Sequence, residues 1–230
     1  MRNIVEEKPT DEIHGRALYN TLFVDDEDIE GKNILDIGCG FGWMELNLSQ
    51  RGARKITAME NTEESLATVK KYIDDEKIDF RVGSAIDLPF TEKTFDTVIA
   101  WEVIEHIPKN METKMLSEIY RVLKPQGVFC LSTPHRSFFA NIFDPAWWLT
   151  GHRHYTKGKL IKTGEAEGFA VERAETRGGW WEILMMANLY VAKWVFRRRP
   201  FFQNFFYQQL DREYRREKGF AEIFLKFRKK

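Results

Sequence analysis

The chain has 230 residues, 35 basic and 35 acidic side chains, and two cysteines. This length suits a single α/β domain over residues 1–230, and two cysteines without paired spacing exclude a disulfide framework, so a reducing cytoplasm is the expected location. A zero net charge makes nucleic acid an improbable partner, although residues 191–230 hold 12 Lys or Arg against 4 Asp or Glu.

Predicted helices and strands alternate along most of the chain. We expect helices at residues 12–23, 43–50, 62–75, 111–123 and 156–167. We expect strands at residues 33–37, 55–59, 78–82, 94–101, 127–133, 169–176 and 220–228. This order predicts an α/β fold with a Rossmann-like, doubly wound, mostly parallel sheet of seven strands, in which the last strand is antiparallel.

About 40 residues, roughly 178–218, separate the last two predicted strands, which is far more than a hairpin needs. The segment is rich in Trp, Phe, Tyr and Arg, and Pro200 disfavours a continuous helix, so we expect an inserted pair of helices. Its apolar run at 183–196 is too short to span a bilayer. With the three arginines at 197–199, residues 180–216 suit a membrane interface, or else a cap that packs on the sheet or on a second subunit.

The strongest motif is Leu-Asp-Ile-Gly-Cys-Gly-Phe-Gly at 35–42, where a predicted strand runs into a glycine-rich turn and then a helix. Glycines let the backbone pass close to a ligand, and the start of a helix offers unpaired N–H groups at the carboxyl edge of the sheet. The dinucleotide pattern G-x-G-x-x-G, begun at Gly38, would need a glycine where Trp43 stands, so a dinucleotide is disfavoured. A tight turn without a ligand is the remaining alternative.

Three more motifs follow in chain order. The second strand ends in Glu60, where a carboxylate can accept both hydrogens of a ribose diol. Next come the runs FRVGSAIDLPF at 80–90 and FDTVIAWEVIEH at 95–106, and LKPQG at 123–127 precedes the fifth strand. Several motifs in one order are far more specific than any of them alone.

Residues 30–135 resemble the cofactor-binding half of class I S-adenosylmethionine (SAM) dependent methyltransferases, of the type 11 and quinone-pathway O-methyltransferase kind. The resemblance implies SAM as the cofactor, with the loop backbone facing its methionine part. The residues it assigns to SAM are Asp36, Gly38, Cys39, Gly40, Glu60, Asn61, Ser84, Ala85, Ile86 and Trp101. Many relatives have Asp where Ser84 stands, so we expect adenine recognition to depend on the backbone of Ala85 and Ile86.

Methyl transfer from a sulfonium needs alignment of the acceptor, the methyl group and the sulfur rather than a covalent intermediate. A hydroxyl acceptor would also need a general base, and histidine has a suitable pKa. The candidates are His106 after the fourth strand, His135 after the fifth, and His154 in the loop at 151–156. His106 has an alternative role as a structural residue at the start of a helix.

Glu102, Glu105 and His106 allow a metal interpretation. At positions i, i+3 and i+4 of a helix they would share one face, and two carboxylates with an imidazole can hold a divalent cation. The resemblance to quinone-pathway enzymes implies magnesium here, but metal-independent relatives share the E-x-x-E-H pattern. We therefore predict no metal and keep this trio as the alternative.

The leading hypothesis is a SAM-dependent methyltransferase that methylates the oxygen of a small hydrophobic or lipid-linked hydroxyl compound. Under this hypothesis, residues 180–216 contact the inner face of the membrane peripherally. The same segment acts as a lid over the substrate site. An N-methyltransferase and a sugar or natural-product methyltransferase are the enzymatic alternatives. A SAM-binding partner protein without catalysis is the alternative from another class. The oligomeric state is left open.

Overall fold

A computed structural model describes residues 13–137 and 153–230. The strands are β1 (Asn33–Ile37), β2 (Lys55–Glu60), β3 (Ile78–Val82), β4 (Phe95–Trp101), β5 (Leu123–Pro134), β6 (Phe169–Arg177) and β7 (Glu222–Lys229). The helices are α1 (Arg16–Phe23), α2 (Trp43–Gln50), α3 (Glu63–Lys70), α4 (Glu112–Val122), α5 (Lys157–Ala166), α6 (Trp180–Tyr190) and α7 (Gln203–Tyr214). The five helices and seven strands predicted from the alternation along the chain are all present, most within two residues of their predicted bounds. The exceptions are α1, which begins four residues late, α3, which ends five residues early, and β5, which begins four residues early.

The seven strands form one sheet in the order β3-β2-β1-β4-β5-β7-β6. Neighbours from β3 to β5 are parallel, whereas β7 runs antiparallel to both β5 and β6. The predicted mostly parallel sheet with an antiparallel last strand is therefore confirmed. Chain order reverses between β1 and β4, and the crevice at the carboxyl ends of two such strands is where doubly wound sheets bind ligands.

Alternate residues of the central strands enter two separate cores, one on each face of the sheet. On one face, Leu35 and Val98 belong to the core that includes Met115 of α4 and Leu160 of α5. On the other face, the next residues along the strands belong to the core of α1 and α2, with Ile34, Ile99, Phe23, Met44 and Leu48. Helices therefore cover both faces, which leaves the carboxyl edge of the sheet as the place for a site.

The segment between β6 and β7 is the predicted helical insertion. α6 continues into a π-helical turn at Val191–Val195, no helix follows until α7 begins, and the break contains Pro200 as predicted. The carboxylate of Glu213 on α7 accepts the N–H groups of Trp181 and Glu182 at 3.0 and 3.1 Å. This contact satisfies free N–H groups in the first turn of α6, so α7 holds the start of α6 in place.

None of the helices in residues 13–137 and 153–230 combines the length and apolar content needed to cross a lipid bilayer. The aromatic residues of the sequence at Phe138, Phe139, Phe143, Trp147 and Trp148, and the histidine at His152, lie outside the described residues.

The segment between β4 and α4 corrects one prediction. Residues 102–111 form turns rather than a helix, so Glu102, Glu105 and His106 do not share a helical face. Glu102 has a left-handed φ of 55°, and its N–H donates to the carbonyl of Ser132 at 3.1 Å, which continues the pairing of β4 with β5. Pro108 further disfavours helical backbone before it.

Candidate cofactor and active site

The glycine-rich loop between β1 and α2 is tied to the end of β2. The N–H groups of Gly38 and Cys39 both donate to the carbonyl of Met59, at 2.7 and 3.2 Å. Gly38 has a left-handed φ of 79°, and a Cβ at this position would lie 2.7 Å from Cγ2 of Val103. Only glycine fits here, because a side chain would collide with the turn after β4.

Glu60, at the end of β2, faces this loop. Its Oε1 accepts the N–H of Gly40 at 2.9 Å and its Oε2 accepts the N–H of Asn61 at 3.3 Å. A carboxylate has about four acceptor positions, so lone pairs remain on both oxygens. The geometry fits the predicted role as acceptor for a ribose diol.

Two cavities open at the carboxyl edge of the sheet, and Gly38 and Glu102 line both. The larger, of about 470 Å³, is also lined by Glu60, Asn61, Ser84, Ala85, Ile86 and His106. The smaller, of about 220 Å³, is also lined by Arg16, Asn20, Asp36, Cys39, Gly40 and Trp101. The ten residues predicted to bind SAM therefore all line one cavity or the other.

The larger cavity suits the adenosine part of SAM. Glu60 stands at one end, and the turn after β3 forms another wall, where the N–H of Ile86 makes a long contact of 3.4 Å with Oγ of Ser84. The N–H of Gly83 donates to the carbonyl of Glu60 at 2.9 Å, which fixes this turn relative to the ribose acceptor. Recognition of adenine by the backbone of Ala85 and Ile86 stays a prediction.

The smaller cavity suits the methionine part. Trp101 is 7% exposed, and its indole N–H has no hydrogen-bond partner among the described residues. A buried donor without a partner is costly, and an acceptor on a ligand in this cavity would satisfy it. Arg16, in the wall of the same cavity, carries the positive charge that a carboxylate would need.

A substitution of Glu60 tests the ribose assignment. Glu60→Gln removes the charge and one of the two acceptor oxygens, so the SAM dissociation constant should rise about 10- to 100-fold, the effect of a lost charged hydrogen bond. Isothermal titration calorimetry measures it. The control is Glu64→Gln, an exposed position on α3 outside both cavities, which should bind SAM like the wild type. A change below threefold in Glu60→Gln would contradict the assignment.

Two carboxyl groups lie buried beneath the glycine-rich loop. Burial, and then the charge of Glu45, raise the pKa of Asp36 well above its ordinary range. Burial also raises the pKa of Glu45, to about 7, while the neighbouring Asp36 carboxyl opposes the rise. Two adjacent carboxyls in a buried site share a proton more readily than they ionise together.

This pair predicts a pH dependence of stability. A carboxyl whose pKa is raised in the folded protein stabilises it below about pH 4.5, and this contribution is lost as the pH rises through about 7. We expect Glu45→Gln to flatten the fall in the free energy of unfolding between pH 5 and pH 8, measured by urea denaturation. The exposed variant Glu30→Gln should keep the wild-type slope. An unchanged slope in Glu45→Gln would reject the protonated pair.

Arg16 at the start of α1 was not predicted as a site residue. Its Nη1 lies 2.7 Å from Oε2 of Glu102 and 2.8 Å from Oε1 of Glu222 on β7. Glu102 also accepts the hydroxyl of Ser132 at 2.6 Å. Burial, and then the charge of Glu102, raise the pKa of Glu222, whereas Arg16 lowers it. One arginine thus joins the start of α1, the turn after β4 and the start of β7.

The three candidate histidines lie in different environments. His106 is 63% exposed and lines the larger cavity, with its Nε2 4.0 Å from Oε1 of Glu105. His135 is half-buried where β5 ends, and its backbone pairs with that of Tyr155. His154 is buried. Burial is the main cause that lowers the pKa of His135, and His154 is among the lesser ones, so these two lie near each other.

Glu102, Glu105 and His106 are not arranged as a metal site. Glu102 is held by Arg16, and Oε2 of Glu105 accepts the hydroxyl of Thr133 at 3.0 Å. No three His, Cys, Asp or Glu side chains are grouped for metal binding in the part of the chain that the structure describes.

Sequence and fold comparisons define the class of protein. Residues 35–131 match the family model described as a methyltransferase domain. The sheet order with its antiparallel β7 is the fold of this class. Residues 35–131 therefore form a methyltransferase domain of the class I SAM-dependent type, with SAM as the cofactor of that domain.

Individual relatives agree with this class. A probable S-adenosylmethionine-dependent methyltransferase of Mycolicibacterium smegmatis is 32% identical over 142 residues, which are 62% of this chain and 53% of that protein. A ubiquinone biosynthesis O-methyltransferase of Rickettsia bellii is 29% identical over 179 residues, 73% of this chain and 70% of that protein. The crystal structure of a SAM-dependent methyltransferase from Mesorhizobium loti has the same fold, with a TM-score of 0.64, 18% identity, and coverage of 91% and 95%.

Proposed function

We propose that this protein transfers the methyl group of SAM to the oxygen of a small hydrophobic or lipid-linked hydroxyl compound. SAM supplies the methyl group on a positively charged sulfur, and the chain's own residues align the acceptor and remove its proton. Similarity to the Rickettsia ubiquinone biosynthesis O-methyltransferase supports an oxygen acceptor. The observation that carries the proposal is the hydrogen bond and the burial of His135, which leave its ring neutral with a free lone pair on Nε2.

His135 lines neither cavity, but its hydrogen bonding is that of a general base. Its Nδ1 lies 3.2 Å from the carbonyl oxygen of Phe220, which only accepts hydrogen bonds, so Nδ1 carries the proton and Nε2 keeps a lone pair. Burial lowers the pKa of His135, although the bond to Phe220 opposes this, so the ring is neutral at physiological pH. It follows β5, whose neighbour β4 ends in Trp101 of the cofactor site.

The test combines product identification with a variant. Purified protein is incubated with methyl-labelled SAM and a lipid extract, and the labelled product is isolated. His135→Ala should lower turnover at least roughly 100-fold, the contribution of a general base, without changing SAM affinity. The control His14→Ala, at a ring that contacts Asp211 and Tyr207 on α7, should retain turnover.

Other outcomes separate the remaining candidates. Unchanged turnover in His135→Ala would reject this base and leave His154 and His106, whose alanine variants are measured in the same assay. SAM binding with no labelled product from any extract would favour a SAM-binding partner protein without catalysis.

A second candidate function is N-methylation, and the carboxyl groups beside the site favour it. Glu102, Glu105 and Glu222 outnumber Arg16 in this part of the described structure, and their carboxyl oxygens can accept hydrogen bonds from an amine. An amine acceptor loses its proton without a dedicated base, so His135→Ala would then keep its turnover and the labelled product would be a methylamine. A methylated sugar or other natural product would be identified by the same analysis.

A further inference from the structure

A group of large apolar side chains projects from the turn between α6 and α7. We call Val191, Trp194, Val195, Phe196 and Phe202 the tip patch. Phe202 is 79% exposed, Val195 68% and Phe196 57%. The ring of Phe196 packs against that of Phe201 at 5.3 Å, so the two sides of the turn are in contact. Several large apolar side chains this exposed within one short segment indicate an interaction surface.

The charge around the tip patch has a single sign. From residue 183 to residue 210 the sequence contains no Asp or Glu, but it contains Lys193 and the three arginines at 197–199. All three arginines are exposed, and none of the four cations makes an ion pair with a described residue. The guanidinium of Arg198 lies 4.4 Å from the centre of the Phe201 ring. Four positive charges therefore surround the apolar side chains.

Two residues of the turn that carries the tip patch have strained backbone conformations. Arg197 and Phe202 both have left-handed φ angles, 49° and 50°, which side chains other than glycine adopt rarely. The conformation places Phe202 outside the core, so the described fold gains no burial from it. Strain of this kind persists where function requires it.

We propose that the tip patch inserts into the interfacial region of a lipid bilayer that carries anionic phospholipids. Trp and Phe side chains enter the boundary between headgroups and acyl chains, while the arginines meet lipid phosphates. The inference goes beyond the proposed reaction, since binding to a membrane needs neither SAM nor an acceptor.

The position of the tip patch relative to the site is favourable for a membrane-derived acceptor. Glu182 lies in the first turn of α6. Burial raises its pKa and the nearby Arg16 lowers it, so this end of α6 lies close to Arg16. Twelve residues of helix separate Glu182 from Trp194, which is roughly 18 Å along the axis at 1.5 Å per residue. A membrane bound at the tip would lie within that distance of the end of α6 that borders the site.

Other occupants fit the charge less well. In a symmetric dimer the same patch faces itself, which would bring the arginines of two copies together without acidic partners. Single-stranded nucleic acid uses aromatic rings and cations along a groove, whereas these side chains form a protruding tip.

Vesicle flotation tests the inference. Full-length protein is mixed with vesicles of phosphatidylcholine alone, or of phosphatidylcholine and phosphatidylglycerol in equal parts. The wild type should float with the anionic vesicles and be released at high salt, since the charged component is screened. The triple variant Arg197→Gln, Arg198→Gln, Arg199→Gln and the double variant Trp194→Ser, Phe202→Ser should each bind at least roughly tenfold less.

The matched control removes three positive charges elsewhere on the same insertion. Arg212→Gln, Arg215→Gln, Lys218→Gln changes exposed cations near the end of α7 and should float like the wild type. Unchanged affinity for SAM shows that each variant is folded. Equal binding by the patch variants and the wild type, or no flotation of the wild type with either vesicle, overturns the proposal. The proposal is also overturned if the protein does not bind vesicles but forms a dimer or an RNA complex that depends on the tip patch.

Discussion

Gly38→Ala is expected to raise the dissociation constant for SAM at least roughly 100-fold. The added Cβ would lie 2.7 Å from Cγ2 of Val103, and the φ of 79° disfavours any side chain by about 1–2 kcal/mol. Gly38 lines both cavities, so a displaced Gly38 or Val103 distorts the passage between the adenosine and methionine parts. Isothermal titration calorimetry with SAM measures the loss.

Gly31→Ala separates the collision from the backbone cost. Gly31 has a similar φ of 69°, but a Cβ there meets no atom within 4 Å, and it lies outside both cavities. This control should lose about 1–2 kcal/mol of unfolding free energy and bind SAM like the wild type. If Gly38→Ala bound SAM within threefold of the wild type, the shared wall of the two cavities would be misassigned.

Arg16→Met is expected to lower the free energy of unfolding by about 2–4 kcal/mol. It leaves two carboxylates facing each other, and removing one partner of a buried pair costs about 3–5 kcal/mol. The lower value applies because the side chain of Arg16 is 34% exposed, although that of Glu222 is only 4% exposed. The midpoint of thermal unfolding should fall by about 5–10 °C in a protein of this size.

The sign of the pH dependence gives an independent check. Without the cation, the pKa of Glu222 rises further, so the loss in Arg16→Met should be largest at high pH and shrink as the pH falls. Adding Glu222→Gln should recover part of the stability. Arg54→Met, at an exposed arginine that contacts Asn33, is the matched control. An equal loss in the double variant and in Arg16→Met would show that repulsion between carboxylates is not the cause.

The cofactor half could be predicted because its signals are local. A strand, a glycine-rich turn and a helix follow one another within residues 33–50, and α2 begins at Trp43, the residue that disfavoured a dinucleotide. Thr62, where the predicted helix begins, caps α3, since its hydroxyl accepts the N–H of Ser65 at 3.2 Å. Alternation and capping depend on neighbouring residues, and both are readable from sequence.

Long-range contacts account for what was missed. The turn at 102–107 was mistaken for a helix, yet its carbonyls bond to a distant arginine: Arg153 donates to Ile104 at 2.9 Å and to Glu105 at 3.2 Å. Arg16 was overlooked because its partners lie 86 and 206 residues away. One local signal was present, since an arginine in the first turn of a helix opposes the helix dipole and needs compensation.

The contact between Gly40 and Glu60 bears on the speed and strength of cofactor capture. The N–H of Gly40 donates to Glu60 at 2.9 Å, and Gly38 and Cys39 donate to Met59, so groups of the chain itself hold this loop. The conformational entropy of this glycine-rich segment is therefore lost during folding, so SAM binding does not have to order the segment. Encounter should lead to capture without a slow loop rearrangement, so association rates should be nearly independent of how tightly each SAM analogue finally binds.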